Sequence, residues 1–159
     1  MKRRTMLAGT AAGLLAAGAA TSGWAFFHTP EESGAIFSGR EDGVAIKGTD
    51  PVGYFTEGRA VRGSADHALE WNGATWHFAS AQNRALFEAN PEKYAPKYGG
   101  YCAYAAANGQ RAKIEPDAWS IVDGRLYLNY DRNIRSRWEA DKASYIAAAD
   151  REWPKIAAE

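Results

Sequence analysis

One thiol and three imidazoles are the residues of this chain best suited to ligate a metal ion or carry a proton: Cys102, His28, His67 and His77. Cys102 stands in "YGGYCAY", behind Gly99-Gly100 and at the start of a short helical segment. Unpaired backbone N–H groups and the helix dipole favour a thiolate in a first helical turn. Such a thiol has two chemistries open to it. It can ligate a soft metal ion such as copper, with imidazole as a second donor. It can also be oxidised as thiolate and resolved by an external thiol, because the chain holds no second cysteine. The plain alternative is a small buried hydrophobe, the commonest role of free cysteine. Tyr98, Tyr101, Cys102 and Ala105 recur at helical steps that suit a core face equally well.

His77 is the best placed imidazole. It lies between Trp76 and Phe78 in an alternating run, so its side chain is expected on the opposite face, toward solvent. There it reads as a metal ligand or proton carrier near Cys102, or as an ordinary strand residue. His67, beside Asp66, reads as surface, and His28 falls in an irregular N-terminal stretch. Tyr98, Tyr101 and Tyr104, with Tyr54 and Tyr94 behind them, form a possible lining for a cofactor or ligand pocket around the thiol. Aromatic packing is the competing role. Asp50 before Pro51 reads as a turn former, and Asn83 as part of a helix start. The chain has no His-x-x-x-His or Cys-x-x-Cys spacing, no phosphate-binding glycine loop and no nucleophile elbow. Binding is therefore the stronger reading and catalysis the weaker.

The elements that must position these residues begin after a targeting segment. Lys2-Arg3-Arg4 is followed by a Gly- and Ala-rich apolar run over 6–20, and Gly23-Trp24-Ala25 offers a signal-peptidase site. "RRTML" suits a twin-arginine export signal over 1–25. The run is too short for a good membrane span, so no stable span is expected once it is removed. A periplasmic or secreted protein follows. Its single cysteine leaves the fold to be held by packing. Lys+Arg and Asp+Glu are both 19, which gives no basic patch and no sign of a nucleic-acid partner.

Residues 26–42 mix Pro, Ser, Gly and charge without a period and read as an arm. Short strands are expected around 44–47 and 54–56. Asn72-Gly73 and Asp123-Gly124 predict two β-hairpins. Ser80 should cap a helix that buries Leu86 and Phe87 and pairs Arg84 with Glu88. Asn90-Pro91 should start a further turn, and "YCAYAAANG" should form a short helix closed by Asn108-Gly109. From Asp131 onward Ile134, Trp138, Tyr145, Ala149, Trp153 and Ile156 predict one long amphipathic helix, ended or bent near Pro154. The pattern is α+β: short strands and hairpins with about three helices, in one domain over 43–156.

Residues 76–94, "WHFASAQNRALFEANPEKY", resemble the core of a YHS domain. That family reads Tyr-(Tyr/His)-Phe-Cys-Ser-x-x-Cys-x-x-x-Phe, then a stretch close to "EANPEKY". Trp76, His77, Phe78, Ser80, Phe87 and residues 88–94 fit it. "DPV" at 50–52 is similar to the family's Asp-Pro-Val-Cys opening, so the likeness covers about residues 44–98. The signal, "GGYCAYA", "AWSIVDGRLYLNY" and the Trp-rich final helix resemble an exported bacterial subfamily, some members of which are named as possible selenoproteins. The resemblance implies heavy-metal handling through cysteine ligands. Here the three cysteine positions carry Gly53, Ala79 and Asn83, none of which supplies a thiolate. Three readings remain. One is an exported module that handles a metal ion or small ligand through Cys102, with His77 and the tyrosines as secondary contacts. The second is a thiol redox protein using Cys102. The third is a non-catalytic, partner-binding domain in which Cys102 is buried and inert.

Overall fold

Asn72 and Gly73 adopt φ of 50° and 78°, the two left-handed residues that a type I′ turn requires. In the computed structural model, which describes Ile36 and residues 43–158, this turn joins β1 (Ser64–Trp71) to β2 (Ala74–Phe78). Leu69 sits opposite Trp76 and Trp71 opposite Ala74, with an irregularity between Ser64 and Ala68. Asp123 and Gly124, at φ 49° and 74°, make the same turn between β3 (Trp119–Val122) and β4 (Arg125–Leu128). The two hairpins are separate two-stranded sheets. The expected export signal over 1–25 and arm over 26–42 lie outside the described residues, apart from Ile36, which packs on the core.

The expected strands at 44–47 and 54–56 are turns and helix instead. Ala45–Gly48 closes as a 3-10 turn with left-handed backbone at Ile46 (φ 43°) and Lys47 (φ 57°). Only Val44 reaches strand geometry, in a parallel bridge to Thr75. Gly53–Thr56 is a helix, α1. The cause lies in Asp50-Pro51: the Asp50 carboxylate accepts from the N–H groups of Val52 and Gly53 and starts the helix.

Ser80 caps α2 (Ala81–Ala89) as expected, its Oγ accepting from the N–H of Asn83 at 3.1 Å. Ser80→Ala should cost about 1 kcal/mol, read as a lowered urea midpoint with unchanged slope. The buried side of α2 is narrower than expected. Phe87 is fully buried, whereas Leu86 is 36% exposed. No Arg84–Glu88 ion pair forms, and Arg84 Nε is buried without a protein acceptor. Asn90 caps α3 (Pro91–Tyr94), with Pro91 at its start.

α4 (Ala103–Ala107) ends on Gly109 at φ 72°. The N–H groups of Gly109 and Gln110 return to the carbonyls of Ala106 and Ala105. The expected single C-terminal helix is two, α5 (Arg132–Ala140) and α6 (Lys142–Ala157), broken at Asp141. The apolar stripe already lapses at Lys142. The break lets Trp138 stay against Tyr127, ring centroids 5.1 Å apart, while α6 lies over the small side chains of α4. Pro154 sits inside α6, which continues to Ala157. Six α-helices are thus described where about three were expected, three of them only four or five residues long.

Strand alternation divides the core in two. Leu126 and Leu128 face a cluster built on Ile46, Tyr54, Trp76, Phe78, Phe87 and Ile114. Tyr127, between them, faces a second cluster with Tyr98, Ala103, Ala106, Trp138 and Ala149. The result is the expected α+β class. No helix among the described residues is long and apolar enough to cross a membrane.

Candidate binding site

Several of the positions singled out by sequence gather at two places. The first is Asp50, whose side chain is completely buried. Its Oδ1 accepts from Val52 N at 2.8 Å and Gly53 N at 3.4 Å. Its Oδ2 accepts from Ala79 N at 2.8 Å and from the Asn83 amide Nδ2 at 2.7 Å. Gly53, Ala79 and Asn83 are the three positions noted above as lacking thiolates. They come from three segments: the start of α1, the end of β2 and the first turn of α2. The fold brings all three onto one carboxylate. Sequence reasoning treated Asp50 as a turn former and Asn83 as part of a helix start, and missed that the two meet. The pairing of Asp with Pro at a helix start was the available signal for the first half of this arrangement.

The second place is Cys102. It is the N-cap of α4 rather than a first-turn residue. It is 1% exposed. Its N–H donates to the carbonyl of Ala112 at 3.1 Å, and its backbone bridges to Leu128. Its Sγ donates to Asn129 Oδ1 at 3.6 Å, and the same oxygen accepts from Tyr104 N at 3.1 Å. Burial pushes the thiol up, outweighing the backbone N–H groups of Ala105, Tyr130 and Tyr104 that favour thiolate. Burial therefore works against the thiolate that a helix start would favour. The dipole of a five-residue helix does not offset the desolvation. Asn129, itself wholly buried, was not singled out by sequence, because one polar residue after "LYL" resembles a strand end.

His77 belongs to the other hairpin. It pairs with Ala68 in β2 and is half-buried. Its ring and backbone lie against Gly48 and Gly63, whereas Cys102 lies along β4. His67 is half-buried in β1, and His28 is outside the described residues. Among the described residues no group of three or more His, Cys, Asp and Glu is placed to hold a metal ion.

The tyrosines chiefly dock helices. Tyr98 is buried, donates to Asp150 Oδ1 at 2.9 Å, and meets Tyr127 and Trp153 at 5.9 and 6.0 Å between centroids. Burial and the Asp150 carboxylate hold its phenol far above the usual range. Tyr101 packs on Trp153 at 5.9 Å with the Arg111 guanidinium over its ring. Tyr104 packs on Tyr145 at 5.0 Å. All three therefore hold α6 in place. Tyr54 donates to the carbonyl of Pro116 at 2.8 Å, and Tyr94 packs edge-on against Phe55. An open depression of about 360 Å³ lies elsewhere, lined by Glu115, Asp117, Asp131, Arg132 and Asn133.

Residues 52–98 match the YHS domain family, which is generally associated with metal binding. The matched stretch contains Gly53, Ala79 and Asn83 and ends before Cys102. No curated protein and no solved structure matches the chain.

Proposed function

We propose that the YHS domain over residues 52–98, with the hairpin and helices that follow it, is an exported module of the periplasm or extracellular space. It acts by binding rather than by catalysis, and Cys102 is part of its core. The observation that carries this reading is the state of Cys102. A nucleophilic or redox thiol needs exposure and a lowered pKa. Cys102 is 1% exposed, engaged with Asn129, and pushed up by burial. Export is supported by the basic start and the apolar run over 6–20. A soft-metal site on Cys102 and His77 has less support, because Cys102 is bridged to β4 and engaged with Asn129, whereas His77 lies in β2 of the first hairpin.

The test is native mass spectrometry of mature protein, purified from its exported form without chelators, beside Cys102→Ser. Both should run at their bare masses, and iodoacetamide should label Cys102 only after unfolding. An added mass on the wild type that Cys102→Ser lacks would make Cys102 a ligand-bearing or oxidised thiol. Labelling of the native protein at the rate of a free thiol would equally overturn the reading.

A further inference from the structure

A YHS match raises the expectation of a metal ion at the three matched positions, and the side chains present can be tested against it. Gly53 offers no donor, and its space is taken: a Cβ there would lie 2.8 Å from Val61 Cγ2 and 2.9 Å from Val61 Cβ. Ala79 offers a methyl group. Asn83 offers an amide whose nitrogen is already donating to Asp50. The one anionic group present, the Asp50 carboxylate, takes two N–H donors on each oxygen. A cation entering there would meet four N–H dipoles turned toward it, an arrangement that favours negative charge and repels positive charge. The residues do not fit a metal.

We propose that a buried anion replaces the metal knot at this place in the fold. The Asp50 carboxylate ties the start of α1, the end of β2 and the first turn of α2, and the backbone N–H of Asp50 extends the tie by donating to Val61 O at 2.8 Å. The domain then holds its shape with no metal at positions 53, 79 and 83. This rests on the match over 52–98 and on the Asp50 geometry. It stands whether or not Cys102 carries a ligand.

The experiment uses mature Cys102→Ser protein, so that the thiol contributes nothing. It is exposed to Zn²⁺ and separately to Cu⁺, desalted, and assayed for bound metal and for Tm. No stoichiometric metal should be retained, and neither metal nor EDTA should shift Tm. In the same background Asp50→Asn should lower Tm by about 10 °C, because it turns an amide N–H toward N–H groups. Asn83→Ala removes one donor, should stay folded, and should lower Tm by about 3 °C. One ion per chain in Cys102→Ser, lost in Asn83→Ala, would overturn the proposal. A Tm unchanged in Asn83→Ala or in Asp50→Asn would also overturn it.

Discussion

Gly63→Ala is expected to destabilise the domain by about 3 kcal/mol or more. A Cβ at Gly63 would lie 2.5 Å from the carbonyl carbon and oxygen of His77 and 2.7 Å from its Cβ. None of those atoms belongs to a flexible side-chain end, so no rotamer change relieves the contact. The segment before β1 must move, and it is tied on both sides. Gly63 N donates to Gly48 O at 2.9 Å, Thr49 bridges to Arg62, and Asp50 N donates to Val61 O. Displacing Gly63 therefore strains the segment that carries Asp50. Urea denaturation should show a lower midpoint with an unchanged slope. The double variant with His77→Ala should recover nothing, since alanine keeps all three contacted atoms. Stability within about 0.5 kcal/mol of wild type, the range of ordinary surface changes, would disprove the close approach.

Phe87→Ala should cost about 3–5 kcal/mol. Phe87 is fully buried and its ring lies 5.1–5.5 Å from those of Trp76, Phe78 and Trp71. Truncation removes three aromatic contacts and opens a cavity that two tryptophans and a phenylalanine cannot collapse into without leaving their strands. Leu86→Ala, one residue away, should cost under about 1 kcal/mol, because Leu86 is 36% exposed. The pair measures which side of α2 faces the core. Similar losses in both variants would mean that the helix is rotated from the orientation described. The near-ultraviolet circular dichroism of the tryptophans should change in Phe87→Ala and not in Leu86→Ala.

Local chemistry was legible in the residues themselves. Asn72-Gly73 and Asp123-Gly124 dictate their turns because both central positions need left-handed backbone, which Gly adopts freely and Asn or Asp tolerates. Ser80, Asn90 and the Asn108-Gly109 pair act within four residues of themselves, so their caps were readable. Asp50-Pro51 reads locally as a turn former, and its carboxylate starts α1 where a short strand was expected over 54–56. The left-handed turn at Ile46 and Lys47 had no such signal. Neither residue favours positive φ, and burial of Ile46 together with the Lys47–Glu115 ion pair holds them there.

The site divides along the same line. By itself the sequence determined the α+β class, both hairpins, the likeness to YHS domains, and the loss of thiolates at 53, 79 and 83. Each of these is a property of residue identity at a given position. Only the tertiary structure decided that those three positions meet on Asp50, that Cys102 is sealed against Asn129, and that His77 belongs to the other hairpin. A carboxylate's partners, and the burial that raises a thiol's pKa, depend on segments some 30 residues apart in the chain. No periodicity or spacing encodes them, because desolvation and hydrogen bonding are set by which surfaces the folded chain brings together.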